Sequence, residues 1–128
     1  MALTLEQAGK IIQGARGKAA ELGITVTIAV VDAGGHLVAL SRMDGARFPT
    51  TDIARGKAFT AAAFQRESAQ MGQNPFFATG PELGGRRVVP LGGGIPIRQG
   101  DQVVGGVGVS GGTSDQDVEC AQAGLAQQ

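Results

Sequence analysis

The chain has no tryptophan and no tyrosine, and only five phenylalanines among its 128 residues. A core built from this composition must be aliphatic. The single cysteine, Cys120, excludes an internal disulfide and any Cys-x-x-Cys pair. Flanked by Val118 and Ala121 in a helical stretch, it reads as a buried, inert thiol. One histidine, His36, is too few for a zinc site of the usual ligand set. An excess of charge of either sign is also missing: 11 Lys plus Arg against 11 Asp plus Glu leaves no basic surplus for the phosphates of a duplex, so nucleic acid is excluded as a partner. No stretch approaches the roughly 18 apolar residues of a membrane span. The amino-terminal stretch carries Glu6 and Lys10 where a signal peptide needs a basic end and an apolar run, so the expected location is the cytoplasm. Walker loops, Gly-x-Ser-x-Gly elbows and His-Glu-x-x-His helices are absent too.

Glycine is what the chain has in excess, 22 residues with no three-residue period. The length suits one domain over residues 1–128. Thr4 and Gln7 form a capping box ahead of an apolar stripe at Leu5, Ala8, Ile12, Ala15, Ala19 and Leu22, which predicts a helix over 4–22 stopped by Gly23. Residues 24–32 and 36–43 alternate as strands around the turn Ala33-Gly34-Gly35, which predicts a hairpin pairing Asp32 with His36, Val30 with Val38 and Ile28 with Leu40 unless a bulge shifts the register by one. A second helix is expected from Pro49 to about Gln65, made slender by Gly56, Ala58 and Ala61 to Ala63. The irregular stretch 72–87 has the length of a functional lid. Three strands follow at 88–91, 95–98 and 102–109, then a helix capped by Thr113 or Ser114. The order predicts an α+β domain in which helices pack on a five-stranded antiparallel sheet.

Several residues could carry chemistry. Gly106-Val107-Gly108-Val109-Ser110-Gly111 imitates a dinucleotide-binding fingerprint, but that motif belongs in the first βα unit with an acidic residue downstream. Strict alternation puts Val103, Gly105, Val107 and Val109 on one strand face and Val104, Gly106, Gly108 and Ser110 on the other. The gap at Gly106 and Gly108 suits a packed helix, a second subunit or the floor of a flat ligand site. The helix start at Thr113 offers either ordinary capping or backbone N–H groups for a carboxylate. Arg55 and Lys57 are candidate partners for ligand carboxylates, with a solvated face as the alternative. His36 beside Asp32 is either a structural turn residue, a haem-iron ligand or half of an acid/base pair. The small residues Thr27, Ala29, Ala39 and Ser41 are expected to share one hairpin face that accepts another copy of the chain, predicting a homo-oligomer. Near-zero net charge favours the same outcome.

Four segments in register, Val30-Val31-Asp32-Ala33-Gly34-Gly35-His36-Leu37-Val38-Ala39, Ala54-Arg55-Gly56-Lys57-Ala58, Gly92-Gly93-Gly94-Ile95-Pro96-Ile97 and Gly105 to Gly112 with Asp115 and Asp117, resemble the GlcG/HbpS-like haem-binding proteins. The resemblance spans nearly the whole chain and extends to domains fused to corrinoid adenosyltransferases. It implies the five-stranded sheet, assembly of dimers into larger oligomers, and haem binding or degradation. On chemical grounds His36 is the first candidate for the iron, with Met43 and Met71 behind it. The leading reading is a binding protein for haem or another planar, carboxylate-bearing ligand held by His36, Arg55, Lys57, Gly106, Gly108 and Thr113. The alternative is a small-molecule lyase, isomerase or hydratase in which Asp32 and His36 transfer protons beneath the 72–87 lid.

Overall fold

The computed structural model describes residues 2–127. Helix α1 spans Leu5–Leu22 and begins at the Thr4/Gln7 capping box. It ends where Gly23 takes φ 73°, a left-handed conformation that costs glycine little. Strands β1 (Thr27–Asp32) and β2 (Leu37–Arg42) form the expected hairpin, and α2 follows over Pro49–Phe64 with proline in its first turn. Two short 3-10 turns, Ser68–Gln73 and Phe77–Thr79, precede a miniature hairpin of β3 (Glu82–Leu83) and β4 (Arg86–Arg87). Strands β5 (Gly94–Gln99) and β6 (Gln102–Ser110) and helix α3 (Ser114–Leu125) complete the chain. Thr113 caps α3, accepting from the Gln116 amide at 3.2 Å.

The main sheet is antiparallel with order β2-β1-β6-β5, so it has four strands rather than the five expected. The missing strand is Val88 to Leu91. Its valines are buried as strand residues would be, but it joins no sheet; Val89 donates its N–H to Thr60 Oγ1 on α2 at 2.9 Å instead. Apolar composition signalled burial, which a loop laid across a helix provides as well as a ladder does.

Helices α1 and α3 cover one face of the sheet, over a core that includes Ile11, Ile28, Val30, Ile97, Val107, Val109 and Cys120. Helix α2 covers the other, where Ala54, Ala58 and Ala62 meet Ala29 and Val31. Gly106 and Gly108 lie beneath α2. A Cβ on Gly108 would collide with the Ala54 carbonyl oxygen, and one on Gly106 with that of Ala58. The gap read from the strand is filled by helix backbone.

Two bulges alter the expected faces. Val30 pairs with Ala39 but Val31 with Leu37, so Val38 is the extra residue and the outer hairpin is shifted by one. Ile28 therefore faces Ser41, and Ala29 faces Leu40. Ala39 consequently packs against the α1 side while Ala29 packs against α2, and Thr27 and Ala29 are fully buried. The small face expected to receive another copy does not exist. A second shift, between Ile97 and Arg98, makes Val104 the extra residue of β6, and Val104 joins Val107 and Val109 in the α1 and α3 core.

Candidate functional site

Helix α2 is slender on both sides. Opposite the sheet, Gly56 leaves room for the extended run 87–89: a Cβ there would collide with Val89 and lie 3.2 Å from the Arg87 carbonyl oxygen. Thr60 Oγ1 donates to the Gly56 carbonyl at 2.7 Å and accepts from Val89, pinning the run to the helix. The β3-β4 hairpin is thereby held over the first half of α2. It is the strand-forming part of the stretch expected to form a lid.

Between this hairpin, α2 and the β1-β2 turn lies a groove of about 520 Å³. That is within the usual range of small-molecule sites, about 300–1,000 Å³. Val31, Leu37, Phe48, Pro49, Ile53, Phe59 and Val89 supply apolar lining; Arg55, Arg86 and Arg87 supply three cations, with Asp52 and Glu82 as the anions. Arg86 is half-buried and preset: Nη1 donates to the Gly34 carbonyl at 2.7 Å, and the guanidinium lies 5.2 Å from the Phe59 ring centroid. Arg87 Nη1 donates to the Gly80 carbonyl at 3.0 Å. Arg55 is exposed and has no ion-pair or hydrogen-bond partner among the described residues.

Of the residues expected from the sequence to bind a ligand or carry catalysis, only Arg55 lines this groove. Lys57 is 3% exposed; its Nζ donates to Asp117 Oδ2 at 3.0 Å and to the Val109 carbonyl at 2.8 Å. Burial lowers its pKa, and the Asp117 charge partly offsets that. Lys57 ties α2 to α3 around the end of β6 rather than meeting a ligand. Gly106 and Gly108 are covered by α2, and Thr113 is spent on its cap. Asp117 Oδ1 accepts the Gly112 N–H at 2.9 Å and Gln116 Oε1 that of Thr113 at 2.9 Å, so these two amides are taken up by side chains of α3 itself.

Asp32 and His36 stand at the hairpin turn. Asp32 Oδ1 accepts the backbone N–H groups of Gly34 and His36, both at 3.0 Å, and neither side chain lines the groove. The carboxylate closes a turn, and the pair lies outside the groove lining. His36 is exposed. Met43 Sδ accepts the Val26 N–H at 3.4 Å beside the α1 core, and Met71 is buried in the first 3-10 turn. No group of three or more His, Cys, Asp or Glu is placed to hold a metal ion among the described residues.

Sequence reading missed Arg86, Arg87, Phe48 and Phe59. The available signal was Gly84-Gly85 between Leu83 and Arg86, a two-residue glycine turn that marks a hairpin and so brings both arginines onto a defined strand. Their convergence with Arg55 depends on the tertiary seat at Gly56.

The family model of haem-degrading HbpS-like proteins matches residues 3–126. The chain is 36% identical over 129 residues to the uncharacterized 15.0 kDa protein of the dhaT-dhaS intergenic region of Citrobacter freundii, covering 96% of this chain and 89% of that one. It is 40% identical over 113 residues to protein GlcG of Escherichia coli K12, covering 84% of this chain and 81% of GlcG. The crystal structure of a PduOC:heme complex superimposes with a TM-score of 0.89 at 27% identity, covering all of this chain and 96% of that one. With its four-stranded antiparallel sheet, its helices on both faces and a family match from residue 3 to 126, the chain belongs to the HbpS-like family of haem-degrading proteins.

Proposed function

We propose that this chain binds haem, or a closely similar planar ring bearing carboxylates, in the groove between α2 and the β3-β4 hairpin. The observation that carries the reading is the convergence of Arg55, Arg86 and Arg87 on an apolar lining that includes Phe48 and Phe59. A tetrapyrrole presents the complementary surface, a flat apolar ring with propionates at one edge. The guanidinium fork matches carboxylate geometry, and in a partly desolvated groove each such bond contributes about 1.5–3 kcal/mol. Arg86 loses little freedom on binding because Gly34 and Phe59 already hold it. Val31, Leu37 and Ile53 exclude water from the ring face. The family match and the haem complex of the structural neighbour support the same ligand class. Bound haem would supply a redox-active iron and an intense visible absorption; this chain supplies the cleft and the cations. The setting we assign is the cytoplasm, where a lone reduced thiol is usual, and self-association of copies is part of the reading.

Titrating the protein with haem tests it. The Soret band should shift and saturate at one haem per chain, and Arg55→Gln and Arg86→Gln should each weaken binding about tenfold, the equivalent of roughly 1.4 kcal/mol. An unsaturable spectrum, or arginine variants that bind as well as the parent, would sink the proposal.

A further inference from the structure

Resting on that reading of the groove, we infer that the site recognises the ring and its carboxylates rather than the iron, so that an iron-free porphyrin binds about as tightly as haem. Haem iron is held in proteins by histidine, cysteine, methionine or tyrosine. The sequence has no tyrosine, one histidine and one cysteine. Each of these that the structure describes is placed elsewhere. Cys120 is fully buried on α3, across the sheet from the groove. Met43 accepts a backbone N–H beside the α1 core, and Met71 is buried in the turn after α2. His36 is exposed at the hairpin turn, where a Cβ on Gly34 would lie 3.0 Å from its ring; its neighbours Gly35 and Leu37 line the groove, but His36 does not. Met1 lies outside the described residues.

What the groove does hold is cationic and apolar. Arg86 is fixed by two contacts before any ligand arrives, and Arg55 is free to follow a second carboxylate. Both features act on parts of the ligand that are the same with or without a metal. The iron therefore adds no bond that the iron-free ring lacks.

The test compares two probes on the intact chain: haem, followed by its Soret band, and protoporphyrin without metal, followed by its fluorescence anisotropy. The two dissociation constants should agree within fivefold, and Arg86→Gln should raise both in parallel. His36→Ala should leave both unchanged. Because every copy carries the same single histidine, that variant also removes any imidazole offered by a second subunit. The Asp52→Asn, Glu82→Gln double variant should bind haem no more weakly, since no oxygen bond to iron is lost. The dimethyl ester of protoporphyrin, which has no free carboxylates, should bind more than fivefold more weakly than the diacid. Haem bound more than fivefold tighter than the iron-free ring overturns the inference while leaving the groove reading intact. Ester and diacid binding equally overturns the role of the carboxylates, and no binding of either porphyrin removes the groove reading with it.

Discussion

Lys57 lies two residues from Arg55 on α2, yet one side chain is sealed in the interior and the other stands in solvent. The sequence showed that they point in different directions; which one turns inward was decided by Asp117, 60 positions away. Removing one partner strands a buried charge, so Lys57→Met should cost about 3–5 kcal/mol in urea unfolding. The Lys57→Met, Asp117→Asn double variant should recover most of that, because the asparagine oxygen still accepts the Gly112 N–H. Equal losses in the single and double variants would show that the ion pair is not the unit of stability. Cys120 tests burial through pH. Desolvation, aided by the charges of Asp117 and Glu119, pushes its thiol from 9.0 up to about 11. Between those values the unfolded chain releases a proton that the folded chain retains, so this group withdraws stability as pH rises. Cys120→Ala should therefore lose less of its urea midpoint than the parent between pH 9.0 and about 11, and identical pH profiles would contradict the assignment.

Helix α2 is the element on which fold and site meet. Its extent was legible in Pro49 and in the small residues that follow, but its neighbours were not, because Gly56, Gly106 and Gly108 say only that something comes close. The structure shows that α2 itself lies on the strand glycines and that the 87–89 run lies on the helix glycine. These contacts separate experimentally. Gly108→Val drives a branched side chain into helix backbone, and overpacking of this kind typically costs about 1–3 kcal/mol, with backbone less able to yield than side chains. A lower melting temperature is expected, whereas a raised one would mean α2 is not seated there. Gly56→Ala meets the Val89 side chain and displaces the segment carrying Arg86 and Arg87. It should weaken haem binding by a larger factor than it lowers the unfolding midpoint, and unchanged binding would detach the hairpin from the site. The cap of α1 could be read directly and that of α3 narrowed to Thr113 or Ser114, because capping residues are local signals; the structure selects Thr113. The bulges at Val38 and Val104 could not, since an extra residue leaves no mark on an alternating pattern until the partner strand is known.

For the whole molecule, three layers are held by an aliphatic interior, as the lack of Trp and Tyr requires. The aromatic residues that do occur lie largely toward the outside: Phe48 is 78% exposed beside the groove and Phe76 is 59% exposed on the 3-10 segment. With no net charge to keep copies apart, these apolar surfaces favour association. Light scattering at micromolar concentration should report at least twice 12.9 kDa, and a monomer there would refute it. The architecture was legible in the order of helices and strands. The groove was not, because its walls come from three separated stretches of chain.

The seam between α2 and the sheet is specified by atoms that are not there. A contact made of backbone against backbone does not ask which large side chains fill the rest of the interior, only that a few positions stay bare. Such a seam lets sequences drift far while the distance between helix and sheet stays fixed, in keeping with a TM-score of 0.89 at 27% identity. It also confines innovation. Change is least costly on the outward side of the helix, where the hairpin rests, so descendants of this scaffold are expected to trade ligands by rewriting that hairpin while leaving the glycines of β6 untouched.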